Sequence, residues 1–132
     1  LFITADHGQV SVGDNPVALS KEITSLIEFQ SGEPRFRWLH ARQGASRELF
    51  QAAKEQFESL AWVMSADEVV NEGWFGPKVT KAARTRFGDV ALVAREPVAF
   101  LDAAEVMSIE LICRHGSLTA DEMYVPAISM VT

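Results

Sequence analysis

Between residues 36 and 95 the hydrophobic period of the chain switches repeatedly, and that switching most constrains its fold. RFRWLHA reads as an extended strand, with Phe36, Trp38 and His40 alternating with Arg37, Leu39 and Ala41. SRELFQAAKEQFESL then takes helical spacing, with Phe50, Ala53 and Phe57 along one side and Ser46 placed to cap its start. LAWVM is a second short strand. Ser65-Ala66-Asp67-Glu68 is a capping box, which predicts a helix through Val69 and Val70 that stops at Gly73. After the Gly88-Asp89 turn, DVALVAR at 89–95 returns to strand. The succession strand, helix, strand, helix, strand predicts a compact α/β unit.

The flanks have their own pattern. Residues 1–4 read as a strand apolar enough to be buried on both faces, followed by a loop through Gly8, Gly13 and Pro16. Ser20 can cap a helix across SKEITSLIEF, with Ile23, Leu26 and Ile27 on one face and QSGEP ending it. Near the other end, IELICRHG reads as a buried strand running into a His-Gly loop, which makes Cys113 a packed side chain rather than a reactive one. Thr119-Ala120-Asp121-Glu122 is a second capping box, and Pro126 suits the start of a final strand.

At 132 residues and 48% hydrophobic content the chain can bury a core. A net charge of −6 excludes duplex nucleic acid as the main partner, because phosphate binding needs clustered Lys and Arg. A single cysteine excludes an internal disulfide and leaves the redox compartment open. No apolar run reaches the ~18 residues of a membrane span. The longest, VALVAREPVAFL, is broken by Arg95 and Glu96.

Two short stretches carry chemistry. Asp6-His7-Gly8 follows a strand, and ligands of α/β sheets gather at strand carboxyl ends. Carboxylate oxygen and imidazole nitrogen are both zinc donors, and Gly8 permits the turn that would aim both at one place. Such a pair in a loop is more often a solvated turn or a local hydrogen bond. Arg114-His115-Gly116-Ser117 repeats the arrangement, again readable as a loop histidine bonded to backbone. His40 reads as structural, and Trp38, Trp62 and Trp74 as packing. Glu33-Pro34-Arg35 and Arg84-Thr85-Arg86 read as solvated charges, with contact to an anionic substrate as the other reading. Phosphate-binding Walker loops, GxSxG elbows and zinc-finger spacings are missing from the sequence.

Taken together, ITADHG and RHGSLTADEMYVPAI resemble the carboxyl-terminal part of the alkaline phosphatase superfamily, in its bacterial type I phosphodiesterase/nucleotide pyrophosphatase branch. GEPR at 32–35, GWFGPKV from 73 and RFGDVAL to 92 look like that branch's inserted segment. Cys113-Arg114 depart from the Gly-His that usually precedes the final histidine. The resemblance implies an α/β fold: residues 1–30 and 101–132 as part of a sheet core, 31–100 as a small inserted α/β subdomain. It implies two divalent metal ions, zinc by preference. Asp6 and His7 match ligands of one ion and His115 matches a ligand of the other.

The implied reaction is hydrolysis of a phosphate diester or pyrophosphate bond in a small phosphate-ester or nucleotide substrate, with the ions clamping the attacking and leaving oxygens. No residue here matches the family's Thr or Ser nucleophile, and neither Thr4 nor Thr119 is promoted to it. The chain is therefore expected to be a carboxyl-terminal fragment that binds metal weakly and is inactive alone. A phosphomonoesterase, a sulfatase, a phosphoglycerate mutase and a non-catalytic α/β interaction module remain open.

Overall fold

A computed structural model of the chain describes residues 1–14, 16–105 and 111–131. Among the described residues it is mixed α/β, with one four-stranded antiparallel sheet and three two-stranded ribbons. The sheet strands are β4 (Ile27–Glu33), β5 (Phe36–Ala41), β6 (Ala61–Ser65) and β7 (Val90–Ala94), in the order β4-β5-β7-β6. Flanking them in the chain are β1 (Phe2–Thr4), β2 (Val10–Ser11), β3 (Pro16–Val17), β8 (Ala99–Phe100), β9 (Cys113–Arg114) and β10 (Ala127–Ser129). The helices are α1 (Lys21–Leu26), α2 (Ser46–Phe57), α3 (Ala66–Asn71), α4 (Lys81–Arg84) and α5 (Ala120–Met123).

Strand β7 explains the layering. All five of its residues are buried, because both faces of the sheet are covered. Val90, Leu92 and Ala94 point to one side and join Leu39, Val63, Ile23 of α1 and Leu49, Ala53 and Phe57 of α2. Ala91 and Val93 point to the other and join Trp38, Ala66 and Val69, with Phe36, Trp62, Trp74 and Phe87 packed around them. The second layer is aromatic: Trp38 stacks on Phe87 with centroids 5.1 Å apart, and Phe75 lies 4.7 Å from Phe87. Asp89 fixes the junction between the sheet and α2. Its carboxylate accepts from the Ala41 amide at 2.8 Å and from the Ser46 hydroxyl at 2.6 Å.

Several expectations hold locally. The strand at 36–41, the helix after it, the strand at 61–65, the box-capped α3 and the strand from 90 are all present. Ser65 accepts from the Glu68 amide while Glu68 accepts from the Ser65 amide, and these bonds hold the Glu68 carboxyl below its ordinary value.

Others need correction. Ser20 caps α1 as expected, but the helix ends at Leu26 and Ile27 begins β4. Residues 27–33 pair with β5, and that ladder overrides the helical spacing of Ile23, Leu26 and Ile27. Ser46 is the first residue inside α2 rather than its cap, and its hydroxyl is taken by Asp89. The expected strand burial at 1–4 is absent. β1 pairs only with β10, and Phe2, Ile3 and Ile128 are exposed because neither face of the ribbon is covered among the described residues. Cys113 is exposed on the two-residue β9, Leu111 and Ile112 before it are exposed too, and the start of that expected strand, 109–110, lies outside the described residues.

Leu39→Ala is expected to cost roughly 2–5 kcal/mol in urea unfolding, because it opens a cavity under a sheet covered on both sides. Ile128→Ala is expected to change the same measurement by less than about 0.5 kcal/mol.

Candidate metal centre

The corner that carries the candidate ligands is assembled from the two ends of the described chain. β2 pairs antiparallel with β9, Val10 opposite Arg114 and Ser11 opposite Cys113. The Val12 amide extends the pairing by donating to the Ile112 carbonyl at 2.9 Å. This brings His7, three residues before β2, to His115, the residue after β9. Their rings stack with centroids 3.8 Å apart and planes 18° from parallel.

Asp6 is beside them. Its Oδ1 accepts from the His7 amide at 3.1 Å, and its Oδ2 lies 3.7 Å from His7 Nε2. The Asp6 side chain is 90% exposed, so solvent screens this contact. His7 Nδ1 lies 2.8 Å from the Gly8 carbonyl oxygen, an acceptor, which places a proton on Nδ1 so that in the neutral ring the lone pair is on Nε2. A second-atom hydrogen bond of this kind commonly orients an imidazole for metal ligation.

The donors therefore suit a divalent cation in chemistry. They do not make a complete shell: among the described residues no group of three or more His, Cys, Asp and Glu side chains is placed to hold an ion. A cavity of about 640 Å³ opens beside the corner, lined by Gln9, Glu33, Pro34, Arg114 and His115 among others.

The region behind the corner escaped the sequence reading. Arg35, read as a solvated charge, is fully buried. Its Nε and Nη2 donate to the two carboxylate oxygens of Glu122 at 2.8 and 2.9 Å, and its Nη1 donates to the Glu96 and Val98 carbonyls. Glu122 also accepts from the Ser117 amide at 2.9 Å and from the Thr119 hydroxyl at 2.5 Å. The expected capping box at Thr119 is thus not made, because Glu122 turns inward to Arg35 and Thr119 donates to its side chain instead. A second pair joins buried Arg37 to Glu105 through Nη1 and Nη2.

One signal was available. Arg37 shares strand parity with Leu39 and Ala41, and a guanidinium on the face of Leu39 requires a carboxylate partner. Arg84, by contrast, pairs with Asp67 at the surface. His40 is structural as expected: its Nε2 is 2.8 Å from Ser31 Oγ and its ring stacks on Phe29. Burial lowers its pKa from 6.5 against the opposing pull of Asp89 and Glu28.

No family model matches the chain, and no curated protein matches it. Among the described residues no helix is long and apolar enough to cross a membrane.

Burial opposes ionisation of Glu122 most strongly. Hydrogen bonds from Arg35, Thr119 and Ser117, with the Arg35 charge, outweigh it and hold the carboxyl below 4.5. A carboxyl lowered on folding adds stability above its unfolded value and loses it as pH falls through the folded one. Urea unfolding between pH 7 and pH 3 should therefore show stability falling below about pH 4.5. Glu122→Gln should flatten that limb. At pH 7, Arg35→Ala should cost about 3–5 kcal/mol, since it strands a buried carboxylate.

Proposed function

We propose that Asp6, His7 and His115 form part of the metal-binding rim of a hydrolase that cleaves phosphate diester or pyrophosphate bonds. The reading rests on one observation: two His-Gly loops from distant parts of the chain meet ring to ring, 3.8 Å apart. Asp6 and His7 would hold one divalent ion and His115 a second, zinc by preference. Bound there, such ions supply Lewis-acid charge to an in-line displacement at phosphorus. The chain's own residues orient the donors: the Gly8 carbonyl fixes the His7 tautomer, and Gly116 lets the His115 loop lie against Glu33. The cavity beside His115 would receive the substrate.

In this reading the nucleophile and the remaining ligands are not among the residues named here, and the 31–100 unit shapes access to the site. A phosphomonoesterase or sulfatase would use the same corner. Relative rates on diester, monoester and sulfate ester substrates separate these three.

The 132 residues alone should bind zinc weakly in a colorimetric titration and fail to turn over bis(p-nitrophenyl) phosphate. In any preparation that turns over that diester, His7→Ala or His115→Ala should lower bound zinc and cut kcat/KM about 100-fold or more. Unchanged zinc content and rate in both variants would leave the corner structural, and absence of both zinc and turnover in the parent protein would favour a non-catalytic interaction module.

A further inference from the structure

We infer that Glu122, held by Arg35, is the positioning residue that sets His7 and His115 ring to ring. The β4–β5 turn is then a working part of the candidate centre; this functional consequence rests on the hydrolase reading above. The ladder between β2 and β9 is only two residues long and stops short of both histidines. Something further must fix the loops that carry them.

Glu122 reaches both loops. Its backbone carbonyl accepts from the Gly8 amide at 2.8 Å, one residue beyond His7. Its carboxylate accepts from the Ser117 amide at 2.9 Å, two residues beyond His115. The first contact is tight: a Cβ added at Gly8 would lie 1.9 Å from the Asp121 carbonyl oxygen, so only glycine fits against α5 there. The second loop is seated from behind, where Ser117 Oγ donates to the Ala94 carbonyl at the end of β7. Gly116, at φ +118°, leaves no room for a side chain beside Glu33.

Arg35 aims that carboxylate. Arg35 and Glu122 are 0% and 3% exposed, and Glu122 fills its acceptor sites with two bonds from Arg35, one from Ser117 and one from Thr119. A satisfied buried network of this kind has one low-energy arrangement. Arg35 belongs to the turn between β4 and β5, and its own carbonyl accepts from the Ala94 amide at 2.8 Å. The sheet is thereby coupled to both histidine loops through one residue, by its side chain to the His115 loop and by its backbone carbonyl to the His7 loop.

A clasp that only stabilises can be replaced by apolar side chains of similar volume at little cost in stability. Positioning cannot, because methionine offers the Ser117 amide no strong acceptor. The test is the double variant Arg35→Met with Glu122→Met in the full 132-residue chain, without metal. The readout is the NMR cross-peak between the carbon-bound ring protons of His7 and His115, with Leu39 and Leu92 methyl signals as the control for the sheet. We expect unchanged methyl signals and loss of the ring-to-ring cross-peak. A folded double variant that keeps the cross-peak at full intensity overturns the proposal.

Should the double variant fail to fold, Arg35→Leu with Glu122→Leu decides, because it too removes the acceptor for the Ser117 amide without stranding a buried charge. Loss of the cross-peak with intact methyl signals supports positioning, and full intensity overturns it. Zinc titration is a separate arm, with binding expected to weaken about 10- to 100-fold in the variants. Wild-type chain that binds no zinc would count against the hydrolase reading and leave the cross-peak result standing.

Discussion

A guanidinium and a carboxylate are taken out of water together at Arg35 and Glu122, and the surrounding architecture follows from satisfying them. Isolated, either charge would cost several kcal/mol to bury. Here the backbone comes to meet them: the carbonyls of Glu96 and Val98 turn toward Arg35, and the Ser117 amide turns toward Glu122. The same turn contributes the Pro34 carbonyl, which accepts from the Phe100 amide at 2.7 Å. The end of β7, the approach to β8, the β4–β5 turn and α5 therefore converge on one point. Arg37, two residues on and within β5, makes a second, more open pair with Glu105, which is partly exposed.

Legibility of the fold followed how local its causes are. Strand β5, helix α2 and the boxed start of α3 are written in periodicity and capping within a few residues, and the sequence conveys them. The α1–β4 boundary is not local. Leu26 and Ile27 suit a helix face, yet Ile27 is extended because β5 offers a ladder and the core accepts its side chain. Ser46 is not the cap because α2 begins one residue earlier than its hydroxyl suggests, and that hydroxyl donates to a carboxylate distant in sequence, Asp89. The strand at 1–4 was apolar for burial on both sides, and the ribbon it forms with β10 leaves Phe2 and Ile3 facing solvent.

The candidate centre divides similarly. Asp6, His7 and His115 stood out because a carboxylate and imidazoles beside glycines at strand ends are unusual neighbours, and the motif resemblance joined two stretches that spacing alone could not. That their rings meet is a property of the β2–β9 pairing, which two-residue strands cannot announce in sequence. The clasp was less legible still. GEPR looks like a solvated turn, and Asp121-Glu122 looks like a helix start; only the fold makes one the counter-ion of the other. Cys113 was misread because Leu111 and Ile112, which suggested a buried strand, are themselves exposed.

The three tryptophans have a practical consequence. Trp38, Trp62 and Trp74 all belong to the aromatic layer on one side of the sheet. Their emission will follow the melting of that layer and be nearly blind to the histidine corner, where the first and last segments could peel away in silence. The lone tyrosine, Tyr124, follows α5 directly and is 82% exposed, so its absorbance is a poor substitute. A spectroscopic midpoint for this protein is a statement about one half of its architecture, and a reporter dye placed on Cys113 would listen to the other.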